Sequence, residues 1–158
     1  MHTPSEERLA DFIRALPSHR TLLSADLLRD EVLLHRDSKI SVYYAPLDHI
    51  NREAKLVIAG ITPGWQQVAI AYRVARDELL KGESLVEAQG AAKKAAAFAG
   101  TMRGNLIFML EGIGLPRRLA VRSTSDLFGH ASSLAHFTSV IRYPVFAHQK
   151  AKTKLFGS

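Results

Sequence analysis

The 158-residue chain contains no cysteine, which removes disulfides, thiolate zinc sites and cysteine nucleophiles at once. None of its seven histidines stands in an HExxH or other metal-ligand spacing, so neither a metal nor another cofactor is implied. A GxSxG nucleophile elbow, a Walker A loop and a GxGxxG dinucleotide turn are all missing. Serine hydrolysis, nucleoside triphosphate hydrolysis and dinucleotide binding therefore lack their usual signatures. No apolar run approaches the roughly 20 residues of a membrane span, and the opening MHTPSEERLADF has neither a basic n-region nor an apolar h-region. These absences predict a soluble protein of the cytoplasm with no membrane partner.

Acidic side chains are scarce in the last third. Residues 1–100 carry 13 basic and 13 acidic side chains, whereas residues 101–158 carry 8 and 2, so the net charge of +6 arises there. Arg103, Arg117, Arg118, Arg122 and Arg142, followed by Lys150, Lys152 and Lys154, could form a phosphate-binding surface, since clustered cations gain affinity by releasing counterions from nucleic acid. A solvated basic face ending in a basic, disordered tail over 145–158 would have the same composition.

What is present is a hydrophobic content of 47%, enough for one domain with a real core, and no linker or repeat divides it. Leu9, Phe12, Ile13 and Leu16 recur at helical spacing up to Pro17. Ser24 has the character of an N-cap for a short helix with Leu27, Leu28 and Leu34. Ile40 to Tyr44 is β-branched and aromatic and stops at Pro46, which predicts a strand at a sheet edge. Leu56 to Ala59 is a continuous apolar run, as expected of a strand buried on both faces of a parallel sheet. Val68, Tyr72, Ala75 and Leu79 share a helical face that ends at Gly82. Ser84 and Glu87 have capping-box spacing ahead of an alanine-rich helix reaching Phe98. After Gly100, Leu106, Met109, Leu110 and Ile113 line one more helix, expected to pack on the sheet and stopped by Gly114 and Pro116. Phe137 to Ile141 reads as a second buried strand before Tyr143-Pro144.

Alternating strands and helices imply an α/β domain: three αβα layers around a mostly parallel sheet. Ligands of such sheets sit at the C-terminal strand ends, which directs attention to the loops 60–67 and 142–146. The octapeptide Gly60-Ile61-Thr62-Pro63-Gly64-Trp65-Gln66-Gln67 is a tight strand-to-helix turn whose backbone amides can approach a ligand, and the helix N-terminus that follows favours an anion. A purely structural turn would use the same residues.

The segment KLVIAGITPGWQQ, then FAGTMRGNLIFMLEGIGL up to Leu115, resembles the first half of the uracil-DNA glycosylase superfamily. Members carry a strand, a glycine- and proline-containing turn, and an aromatic-glycine element leading a helix that ends in Ile-Gly-Leu. His136 to Pro144, reading HFTSVIRYP, is similar to the next core strand of that superfamily. The resemblance implies a DNA-binding protein that hydrolyses the N-glycosidic bond of uracil or another modified base, or else a non-catalytic nucleic-acid-binding relative.

On that resemblance Thr62 stands where the family positions the attacking water, with Gln66 and Gln67 as auxiliary donors. A threonine hydroxyl can hold water but is no general base near neutral pH. Gly60, Ile61, Pro63 and Gly64 would surround the extruded base. Phe98 would stack on it, unless Phe98 only closes the core. Ser139 stands where many members read the uracil edge with an asparagine. Arg103, Arg117, Arg118 and Arg142 would contact DNA. The resemblance also implies a fold cut short: the family's further strands and histidine-bearing loop have no counterpart after Pro144, and His148 resembles a tail residue. An uncovered sheet edge and self-association through it are the corresponding expectations.

Overall fold

A computed structural model describes residues 4–148. The first helix, α1 (Glu6–Arg14), starts where the Ser5 hydroxyl accepts from the Arg8 amide, with Glu6 and Glu7 in its first turn and Arg14 in its last. That charge order complements the helix dipole. Leu9, Ala10 and Ile13 are its buried face. The second helix, α2 (Ser24–Leu27), is a single turn. Ser24 is inside it, and the cap is supplied by the Asp26 carboxylate, which accepts from the Leu23 amide at 2.7 Å and grips Arg20 in a two-pronged ion pair.

Leu34 lies on no helix: it is buried in β1 (Leu33–Arg36), which pairs antiparallel with β2 (Ile40–Tyr43). The turn between them forms because the Asp37 carboxylate accepts from both the Lys39 and Ile40 amides, at 2.7 and 2.9 Å. Contrary to the expectation of an edge, β2 is the centre of a three-stranded antiparallel sheet. Its second neighbour is β5 (Val145–Ala147), with Val42 opposite Val145 and Ile40 opposite Ala147. The supposed tail thus begins as a strand, and only residues 149–158, with Lys150, Lys152 and Lys154, lie outside the described part of the chain at this end.

The second sheet, among the described residues, contains only β3 (Leu56–Gly60) and β4 (Ala135–Ser139), parallel and in register from Leu56 opposite Ala135 to Gly60 opposite Ser139. The three-layer architecture with a mostly parallel sheet is therefore corrected to a mixed α/β fold of six α-helices and two small sheets among the described residues. The apolar run at 56–59 misled because apolar content does not reveal how many faces are covered. Exposure alternates along β3, and Val57 is 61% exposed while Val140, just past β4, is 81% exposed.

The core lies under α3 (Trp65–Leu80) and α4 (Leu85–Ala96). The face predicted for α3 is the one it buries: Val68, Tyr72, Ala75 and Leu79. Alanines at 88, 92 and 96 form the buried stripe of α4, and small side chains let the two helices approach closely. Complete burial of side chains the size of Val68 or Leu79 contributes roughly 1.5–3 kcal/mol each. Tyr72 is fully buried, and its hydroxyl donates to the Tyr44 carbonyl at 2.7 Å. Buried Arg76 donates to the Pro17 carbonyl and to Asp77, which gives its charge partners in the interior. Ser84 and Glu87 form the expected capping box.

α5 (Thr101–Gly112) departs from expectation. It buries no side chain, and Phe108, Met109 and Ile113 are exposed by 80, 58 and 75%. Half of its expected apolar stripe, Met109 and Ile113, faces solvent, while Leu106 and Leu110 are half-buried. A short helix, α6 (Leu115–Leu119), follows through Gly114, whose φ of +74° is left-handed. The Glu111 carboxylate accepts from the Thr124 amide at 2.6 Å and ties this region to the 3₁₀ turn Thr124–Phe128.

Candidate functional site

Because β3 and β4 run parallel, their C-terminal residues Gly60 and Ser139 end side by side. The pairing continues into the loops, where the Val140 amide donates to the Gly60 carbonyl and the Ile141 amide to the Ile61 carbonyl, both at 2.9 Å. The Thr62 hydroxyl then donates to the carbonyl of Tyr143 at 3.1 Å. Gly64 caps α3, its amide held by the side-chain oxygen of Gln67 at 2.9 Å. These hydrogen bonds fix the octapeptide turn at the mouth of the parallel pair, where strand topology leads one to look for a ligand.

Phe98 reaches this mouth through unusual backbone. α4 stops at Ala96, Phe98 takes φ +48° and Gly100 takes φ +85° with ψ −154°. The first is a left-handed conformation uncommon for an aromatic residue, and the second belongs almost only to glycine. The reversal is held by Arg103, whose guanidinium donates to the carbonyls of Ala95 and Ala97 at 2.7 Å. Its result is a Phe98 ring against Gly60 and edge-on to Phe137, 5.9 Å between centroids. Phe137 in turn stacks on Phe128 at 4.4 Å.

Between the turn and these rings is a cavity of about 480 Å³ lined by residues that include Gly60, Ile61, Thr62, Pro63, Gly64, Gln67, Phe98, Ser139 and Arg142. A volume in this range suits a small organic ligand. The structure brings together the turn, the aromatic and Ser139. Gln66 is not among the lining residues; it packs on Gly100, where a Cβ would come within 2.5 Å of its side-chain oxygen. Arg103 is spent on the end of α4 and lies over the Phe128 ring at 4.9 Å. Arg117 and Arg118 are exposed on α6 and outside the cavity lining. The side chain of His148 meets Ser41 at 2.8 Å, which makes it part of the β2–β5 region rather than of the cavity.

Sequence reasoning passed over Lys93. It lines the cavity from α4 and donates to the His49 carbonyl at 2.6 Å. Burial, aided by the positive charge of Arg142 and opposed by Asp48, pushes its ammonium down to about 8. The available signal was its place one residue after Ala92 in the buried alanine stripe; a lysine pair in an alanine run looks solvated. Asp48 was also missed. It accepts from the Tyr143 hydroxyl at 2.8 Å and faces Arg142 at 3.5 Å. Burial, helped by that carboxylate, pushes the Tyr143 phenol up to about 12. Among the lining residues the charged groups are Lys93 and Arg142, with no carboxylate and no histidine. The cavity thus offers an aromatic face, the N-terminal end of a helix, three hydroxyls (Thr62, Thr138 and Ser139) and two cations. A flat, electron-rich or anionic ligand matches that set.

The fold and cavity define a mixed α/β protein with a ligand-sized pocket at the end of a parallel strand pair. Its sequence is 45% identical over 148 residues to the uncharacterized protein YoxB of Bacillus subtilis (strain 168). The match takes in 93% of this chain and spans 57% of that relative's length. No family model matches the chain, and no solved structure matches it.

Proposed function

We propose that the protein is DNA glycosylase-like: it binds DNA and takes an extruded uracil or otherwise modified base into the cavity between Thr62 and Phe98, where the N-glycosidic bond is hydrolysed. The observation that carries this proposal is the convergence of the Gly60–Gly64 turn, Phe98 and Ser139 on one cavity. An extruded base would stack on Phe98, at a worth of about 1–3 kcal/mol. As the bond breaks, its electron pair goes to the base. The resulting anion would be met by Arg142 and the positive end of the α3 dipole, the kind of preorganised charge that lowers such barriers. Thr62, whose proton is given to the Tyr143 carbonyl, keeps oxygen lone pairs with which to hold water near the sugar C1′.

A second proposal, a base-binding protein that does not cleave, is favoured by one specific observation: among the described residues no carboxylate or histidine lines the cavity to take a proton from that water. One experiment separates the two. A fluorescent duplex carrying uracil, hypoxanthine or another altered base is incubated with the protein and treated with alkali to break any abasic site. Strand breaks dependent on the protein support hydrolysis, binding without breaks supports the non-catalytic alternative, and neither would remove both.

A further inference from the structure

We propose that Lys93 is an amine nucleophile that forms an imine with an aldehyde held in the cavity, the ring-opened C1′ aldehyde of an abasic deoxyribose being the substrate class the pocket fits. This rests on the proposal that the cavity receives a nucleotide of DNA, but not on hydrolysis taking place there.

The geometry carries it. Lys93 sits in the wall between the main cavity and a neighbouring one of about 300 Å³, which it lines together with His49, Lys94 and His136. It forms no salt bridge with a carboxylate among the described residues, whereas most lysine side chains in solution stay charged and hydrated. Its hydrogen bond is donated to the His49 carbonyl. In the neutral amine that bond uses an N–H and leaves the nitrogen lone pair unengaged. Of the charged groups around it, Arg142 disfavours a further positive charge and Asp48 favours it, while His49 and His136 line the neighbouring cavity beside it. Desolvation and a neighbouring cation are the usual means by which a lysine is made nucleophilic for carbonyl addition. The same surroundings hold a substantial neutral fraction of Lys93 near pH 8.

The step balances without a further reagent. The Lys93 nitrogen lone pair attacks the aldehyde carbon, the carbonyl oxygen takes up the two amine protons and leaves as water, and a C=N double bond joins C1′ to Nζ. Hydrolysis reverses it. Borohydride, added as a probe, delivers hydride to the imine carbon and makes the link permanent.

The test uses the full chain, a labelled duplex containing one abasic site, and borohydride at pH 8, with the adduct isolated on a denaturing gel and its peptide identified by mass spectrometry. The expected result is a single adduct on Lys93, lowered at least about tenfold in Lys93→Arg, whose guanidinium is not a nucleophile, and kept within about twofold in Lys94→Arg. An adduct on other lysines, an equal yield in Lys93→Arg, or no adduct on the unsubstituted protein would each overturn the proposal. Mapping the unsubstituted protein decides the matter even where a variant does not fold. An adduct on Lys93 without cleavage of uracil-containing DNA would remove hydrolysis and keep Lys93. Cleavage without an adduct would do the reverse.

Discussion

A Cβ built on Gly60 would lie 3.7 Å from the ring of Phe98, so the strand end and the aromatic face each other across the mouth of the cavity with room for one methyl between them. One methyl fits; a larger group would occupy the place of a stacked base. We expect Gly60→Ala to bind a duplex with a modified base nearly as the unsubstituted protein does, and Gly60→Leu to lose that preference. Phe98→Ala should weaken binding to the modified duplex by about 1–3 kcal/mol more than binding to a plain one. Titration of both duplexes by fluorescence anisotropy measures the difference, and equal losses would exclude stacking by Phe98.

Asp26 supplies a pH-dependent part of stability. The Arg20 guanidinium and the Leu23 amide hold its carboxyl down at about 2. A depressed folded value means that the unfolded chain binds the proton more readily, so this stabilisation is complete above about pH 4 and is lost as pH falls through 2. Asp26→Ala should cost on the order of 1 kcal/mol at pH 7, as removal of a cap and a partly exposed ion pair would. The difference from the unsubstituted protein should shrink between pH 4 and 2. Urea denaturation across that range checks it, and a constant difference would mean that the carboxylate charge contributes nothing.

DNA affinity should fall steeply with salt. Arg117 and Arg118 are exposed on α6 with no ion-pair partner among the described residues, unlike Arg103, whose guanidinium is engaged by backbone carbonyls. Replacing both with alanine should lower the slope of log affinity against log salt by about 1–2, near 0.9 for each phosphate no longer neutralised. Arg103→Ala should instead lower stability, because it frees the carbonyls of Ala95 and Ala97. A binding signal indifferent to salt would rule out the DNA proposal.

Among the described residues two strands alone form the parallel sheet, with exposed Val57 within it and exposed Val140 just past its end. Unpaired strand edges beside apolar side chains template association. Light scattering over a concentration series should show a rising mass, and Val57→Lys with Val140→Lys should suppress it. A constant monomer mass would show the edge to be inert under these conditions.

The helices α3 and α4 were the most legible part of the fold, because each carries its own evidence. The Val68–Leu79 face and the Ser84–Glu87 cap are local, and both form as their spacing predicts. Strand environment was less legible. Whether Val57 is covered depends on what packs above it, and whether Ile40–Tyr43 is central depends on Val145–Ala147, a segment of three residues too short to show a period. In the candidate site, the turn and Phe98 announced themselves by glycine, proline and an aromatic at a helix end. Lys93 and Asp48 did not, since their importance comes from desolvation and from partners more than 40 residues away in sequence, such as His49 for Lys93 and Tyr143 for Asp48.

The peptide at Tyr143 has a mechanical consequence. Its carbonyl holds the Thr62 hydroxyl at the cavity, and the next carbonyl, that of Pro144, receives the amide of Tyr43 in the other sheet. Among the described residues the two sheets share no strand, yet these adjacent carbonyls couple them. A ligand that steadies Thr62 would therefore slow hydrogen exchange at the Tyr43 amide, so that occupancy of the cavity could be read on a strand that no ligand touches.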